Sequence, residues 1–109
     1  MNPRRRIYIA GPMHGYPDNN YPAFIAAEEY LKGLGYAIEN PARTAPEFQH
    51  RTPNRMELDE IIKADLEKIM ECTGMYMLNG WETSIGAMAE FHLARWLGIK
   101  IFYEAEIPQ

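Results

Sequence analysis

The chain has 109 residues, with 11 basic against 15 acidic side chains, a formal net charge of −4 and a pI near 5.3. That length suits a single domain over residues 1–109, and the acidic balance argues against a nucleic-acid polymer as partner, which calls for a basic excess. The lone cysteine, Cys72, excludes an internal disulfide, and no apolar run approaches the roughly 20 residues that span a bilayer. The basic start Arg4-Arg5-Arg6 is not followed by the apolar stretch of a signal peptide, so a cytoplasmic location away from membranes is expected. A chain this short exposes much of its surface, which makes a homo-oligomer, dimer or higher, the expected way of burying more.

Arg6 to Ala10 reads as a first strand, short and apolar on both faces, closed by Gly11-Pro12. Gly, Pro, Asp and Asn then mark an irregular loop to Asn20, and Tyr21-Pro22 opens a helix. Phe24, Ala27, Leu31 and Leu34 fall at helical spacing, with Gly35 as the stop. Tyr36 to Glu39 is a second strand. From Pro41 to about Asn54 there is no period, so a long loop is expected there. Leu58, Ile61, Ile62, Leu66, Ile69 and Met70 form a broad apolar stripe on a helix from Arg55 to Glu71. Gly74 to Leu78 is a third strand, a helix follows Thr83-Ser84, and Ile99 to Tyr103 is a fourth strand, leaving Glu104 to Gln109 as a tail. Most of the methionines, Met13, Met56, Met70, Met75, Met77 and Met88, are expected to fill core gaps.

Alternating strands and helices with right-handed crossovers predict an α/β fold: a flavodoxin- or Rossmann-like parallel sheet of order 2-1-3-4 with helices on both faces. Ligands in such sheets bind beyond the carboxyl ends of the strands where chain direction switches, here between strands one and three. The loops at that edge are Gly11–Asn20 and Asn79–Thr83. The helix after strand three has Ser84 or Thr83 as N-cap, Gly86 in its first turn and Glu90 one turn deeper on the same face. A helix N-terminus with a small residue at its mouth favours an anion, and a carboxylate one turn in can attack or deprotonate what is bound.

Glu90 has small neighbours in Gly86, Ala87 and Ala94, and apolar ones in Met88, Leu93 and Trp96. It therefore has little solvated face and needs a partner or a task. Asp65 interrupts the apolar stripe of the preceding helix. It is either a boundary residue paired with Lys68 or Arg55, or the second carboxylate of a pair with Glu90. Two carboxyl groups flanking a glycosidic bond can divide the work, one as nucleophile and one near the leaving group. Tyr8, near the carboxyl end of strand one, needs a hydroxyl partner, and Glu90 is a candidate. His14 in Gly11-Pro12-Met13-His14-Gly15 is an exposed loop residue or a binding one, and Trp81 stacks on a base or plugs the core. His14, His50, His92 and Cys72 show no metal-ligand spacing, so neither a metal nor another cofactor is expected.

Ile7-Tyr8-Ile9-Ala10-Gly11-Pro12, Ala64-Asp65-Leu66 and Ser84-x-Gly86-x-x-x-Glu90 with Ala94 and Leu97-Gly98-Ile99-Lys100 occur in an order that resembles the nucleoside 2-deoxyribosyltransferase family. The serine six positions before the glutamate is closer to the family's 2′-deoxynucleoside 5′-phosphate N-hydrolases than to its transferases. The resemblance implies Glu90 as nucleophile on the anomeric carbon, Tyr8 orienting it, and Asp65 acting near the sugar or leaving base. It further implies a 5′-phosphate received by Ser84 and the Gly11–Gly15 backbone, and a small-molecule nucleoside or nucleotide as partner. An unperturbed glutamate is ionised at pH 7, as a nucleophile must be. The same features also suit a non-catalytic nucleotide-binding module.

Overall fold

A computed structural model describes residues 5–43 and 51–104. The expected tail beyond Glu104, His50 and most of the long loop after Arg43 lie outside those residues. Strand β1 (Arg6–Ala10) is followed by helix α1 (Tyr21–Gly33), β2 (Ala37–Glu39), α2 (Arg55–Met70), β3 (Gly74–Met77), α3 (Ile85–Leu97) and β4 (Lys100–Tyr103). The strands form one parallel sheet of order β2-β1-β3-β4, as expected. Their ends differ from the sequence reading by about a residue, where fraying makes any boundary soft.

Alternation along β1 sorts the core. Ile7 and Ile9 point to one face, where Phe24, Ala27 and Leu31 of α1 cover them with Tyr76 and Leu78. Tyr8 and Ala10 point to the other, packed with Met75, Met77, Ile69 of α2 and Ala94 of α3. One helix thus covers one face of the sheet and two cover the other. Each helix is started or stopped by a local device. Asn54 and Glu57 close a reciprocal capping box on α2, each side chain accepting the other's backbone N–H. Ser84 caps α3 by accepting from Ala87 N–H at 3.1 Å. Gly98, at φ 76°, ends α3 in the left-handed region that an L side chain avoids.

The apolar stripe of α2 is only partly a core stripe. Ile69 is buried, but Leu58, Ile62, Leu66 and Met70 are exposed, as are Met56 of α2 and Trp96 of α3. Met56 and Met70 therefore do not fill core gaps, whereas Met75 and Met77 do. Leu58 and Ile62 lie eleven and seven residues before Ile69, on nearly the same side of the helix, so their exposure follows from position along α2 and not from a second face. Trp96 likewise does not shield Glu90. The last described residue, Glu104, is tied down rather than loose, its carboxylate accepting Asn79 N–H at 2.8 Å.

Candidate active site

Tyr8 sits in the middle of β1, opposite Met75 on β3 and Glu39 on β2, and is completely buried. Its ring rises on the α2–α3 side of the sheet. Ala87 and Ala94 are the buried residues of α3, and their single methyl groups let that helix lie close to the strands. Glu90, between them on the helix, is thereby brought onto the phenol: Tyr8 Oη donates to Glu90 Oε2 at 2.7 Å. Asp65 reaches the same place from α2, because it lies one turn before the buried Ile69 and so faces the sheet. Its Oδ1 is buried without a hydrogen-bond partner. Arg55, one of its two expected partners, pairs with Asp59 instead, whereas Lys68 acts on it through its charge. Glu90, Asp65 and Tyr8, separated by 25 and 57 residues of chain on either side of Asp65, form one cluster.

The electrostatics follow from burial. Removal from water raises the Glu90 carboxyl to about 8; the Tyr8 hydrogen bond opposes that rise and the negative charge of Asp65 adds to it. Asp65 is raised to about 6 by burial, against the pull of the Lys68 ammonium and the Tyr8 hydroxyl. The Tyr8 phenol is pushed well above its ordinary value by burial and by the two carboxylates, so it remains a donor. The expectation of an ordinary ionised glutamate is therefore corrected: burial and the Asp65 charge favour the protonated form of Glu90. The pair, rather than either residue, has the two titration steps.

Ser84 uses an oxygen lone pair as helix cap and keeps its O–H free to donate, at the mouth of α3. Gly86 is exposed there, and a Cβ on it would meet only Ser84 Oγ at 3.9 Å, so the first turn of α3 is open to a ligand. Gly11 has a packing reason for being glycine: a Cβ would come within 2.7 Å of Leu78 Cβ. Gly15 takes φ 86° in an open turn, and the neighbouring His14 is exposed on the same loop. Trp81 packs inward, its ring 4.5 Å from that of Phe91 and 6.1 Å from Tyr103. Phe91 thus lies on the flank of α3 that Trp81 covers, a quarter-turn or more from Glu90.

Sequence reasoning missed two features. The loop after β1 is latched to the loop after β3: a Cβ on Gly80, at φ 88°, would stand 2.6 Å from Tyr16 Oη and 3.3 Å from Pro12 Cγ. Three consecutive non-glycine residues of that loop, Asp18, Asn19 and Asn20, have φ between 52° and 61°, the region Asn and Asp tolerate best. The second feature is Glu28, a buried carboxylate on α1 that accepts from Arg43 Nε and Nη2, both at 2.9 Å, and from Asn40 Nδ2 at 3.2 Å. Its placement four residues after Phe24, on the core face, was the available signal. The remaining basic residues of that region are also paired, Arg51 with Glu57 and Arg55 with Asp59. An open groove of ≈ 800 Å³ beside α1, lined by Asp18, Tyr21, Ile25, Ala42 and Arg43 among others, does not include the Tyr8–Glu90 cluster.

Among the described residues no group of three or more His, Cys, Asp and Glu side chains is placed to hold a metal ion, and no helix is long and apolar enough to cross a membrane. The site offers a hydroxyl-held carboxyl group, a second carboxyl whose charge acts on it, and an open helix mouth. No curated protein matches the chain. A family model described as a domain of unknown function, DUF4406, matches residues 5–103, nearly the whole chain, and the protein belongs to that family.

Proposed function

We propose that the protein breaks or transfers the N-glycosidic bond of a 2′-deoxyribonucleoside or its 5′-monophosphate, with Glu90 as nucleophile. The observation that supports this most is the Tyr8 hydroxyl held 2.7 Å from Glu90, with Asp65 close enough to raise the Glu90 carboxyl by its charge. The reactive arrangement is the minor one in which the proton has passed from Glu90 to Asp65, leaving Glu90 ionised under the Tyr8 O–H. Glu90 then attacks the anomeric carbon, the carbon–nitrogen bond breaks, and the leaving base takes the Asp65 proton. The resulting glycosyl ester is released by water in a hydrolase or by a second base in a transferase. Ser84 O–H and the free backbone N–H groups at the start of α3 are suited to a 5′-phosphate. The enzyme is read as cytoplasmic and homo-oligomeric, needing no cofactor.

This scheme requires exactly one proton on the pair, so turnover should be bell-shaped in pH, rising through the step near 6 and falling through the step near 8. The test is chromatography of a mixed pool of 2′-deoxynucleosides and their 5′-monophosphates incubated with the protein. Free base should appear with the wild-type chain and not with Glu90→Gln. Equal release by both would overturn the nucleophile. Nucleotide-induced thermal stabilisation without any base release would instead support a binding module.

A further inference from the structure

Between the end of β3 and the start of α3 the hydrogen bonds divide the chain into a strand end, a junction and a turn. Leu78 N–H donates to Ala10 O on β1 at 2.8 Å, and the Leu78 side chain is buried, so the strand end is fixed. From Gly80 onward the chain is bonded to itself. Thr83 donates twice to Gly80 O, from its N–H at 3.0 Å and its hydroxyl at 2.7 Å, and Ser84 N–H donates to Trp81 O at 3.1 Å. Ser84 Oγ then accepts Ala87 N–H, which joins the short turn Trp81–Thr83 to the first turn of α3 as one bonded unit. Trp81 N–H to Leu78 O, at 3.2 Å the longest of these bonds, spans the junction. Asn79 is that junction.

Successive N–H groups of a strand point to opposite neighbours. Because Leu78 N–H faces β1, Asn79 N–H faces β4, whose Tyr103 stands opposite Met77. The acceptor it meets there is a side chain, Glu104 Oε1 at 2.8 Å. A carboxylate is a stronger acceptor than a neutral carbonyl. The residue before it, Tyr103, has its ring 6.1 Å from that of Trp81. Two consecutive residues at the end of β4 thus hold the junction and the turn beyond it. A tilt at Asn79 is passed by the bonded turn to Ser84 and Gly86, whereas Glu90 is held separately by Tyr8.

We propose that Glu104 is a positioning residue, its carboxylate setting the angle at which the Trp81–Thr83 turn presents the mouth of α3 to a ligand. The proposal rests on the reading of that mouth as the seat of a 5′-phosphate, and one arm of its test needs no substrate. Glu104→Ala and Glu104→Gln remove the same negative charge, but the glutamine keeps an acceptor oxygen, so the difference between them isolates the hydrogen bond. The bond is solvent-exposed, so both variants should fold, as circular dichroism would check. In hydrogen exchange the amides of Asn79 to Ser84 should lose protection by about 10-fold in Glu104→Ala and by less than about 3-fold in Glu104→Gln. With a 2′-deoxynucleoside 5′-monophosphate that the wild-type chain cleaves, Glu104→Ala should raise KM by about 10-fold and change kcat by less than about 3-fold. Glu104→Gln should bring KM back to within about 3-fold of wild type. A residue that merely stabilised the fold would lower the melting temperature and leave KM alone. Unchanged exchange in Glu104→Ala, an unchanged KM, or equal behaviour of the two variants overturns the proposal. If the wild-type chain cleaves no 5′-monophosphate, it is the reading of the α3 mouth that fails, and the exchange result alone then decides whether Glu104 sets the turn.

Discussion

The two faces of the sheet each bury a carboxylate, and they treat it in opposite ways. Under α1, Glu28 is surrounded by Arg43, Asn40 and Lys32, and the Arg43 guanidinium, bonded to both of its oxygens, lowers its carboxyl to about 2. Under α2 and α3, Glu90 and Asp65 have no comparable cation within hydrogen-bonding reach among the described residues, and burial raises them to about 8 and 6. A carboxylate that ties elements together is given charged donors. On the proposed reading, one held for reaction is left short of them, at a cost to stability, with a hydroxyl that orients without neutralising. Glu28 joins α1 to the turn after β2, whereas Glu90 faces a helix mouth with room at Gly86.

That contrast breaks at its most sensitive point with Glu90→Gln, which should lower turnover by about 10³-fold or more while keeping nucleotide binding, measured by base release and by thermal shift. Tyr8→Phe should cost about 10- to 100-fold and displace both limbs of the pH profile upward. Without the phenol O–H, the ionised carboxyl forms lose a donor, and a purely structural tyrosine would leave the limbs in place. Glu28→Gln should lower stability at pH 7 by about 2–3 kcal/mol in urea unfolding, since it removes charge-assisted hydrogen bonds from a buried position. The sign with pH is set by the lowered carboxyl: this stabilisation is present above the unfolded value near 4.3 and is lost as pH falls towards 2.

Glu90→Gln should act on stability in the other direction. The folded chain holds the Glu90 proton up to about 8 and the unfolded chain releases it near 4.3, so wild-type stability falls as pH rises through that window. Removing the titrating group should raise the melting temperature by several degrees at pH 8, about 1–2 kcal/mol, and by less at pH 5. A lower melting temperature at pH 8 would contradict the assignment of Glu90 as a burdened, reactive carboxyl. The smallest effect is expected from Asp59→Asn, on the same helix as Asp65 but half-exposed and paired with Arg55. It should change stability by less than about 0.5 kcal/mol and turnover not at all.

Much of this was legible in the sequence because it depends on local patterning. Apolar runs bounded by Gly and Pro read as buried parallel strands, and the strand–helix alternation with right-handed crossovers left one strand order. Glu90 and Tyr8 were legible as partners because each was a polar group in an apolar setting, in need of the other. Trp81, by contrast, stayed open between a base platform and a core plug, since the choice depends on Phe91 and Tyr103 arriving from two other elements. Gly11, read as part of a ligand-binding loop, also makes a close approach to Leu78, a neighbour 67 residues away that no local pattern announces.

By itself, the sequence determined the elements, their order in the sheet and the faces on which Phe24, Ile69 and Glu90 lie, because these follow from periodicities of two and 3.6 residues. Only the tertiary structure decided which buried carboxylate receives cations and which does not, since Arg43 and Asn40 reach Glu28 across a turn while Arg55 is drawn to Asp59. It also decided that Leu58 and Ile62 stay exposed while Ile69, on the same side of α2, is buried, since helical spacing gives the side of a helix but not how far along it a neighbour reaches.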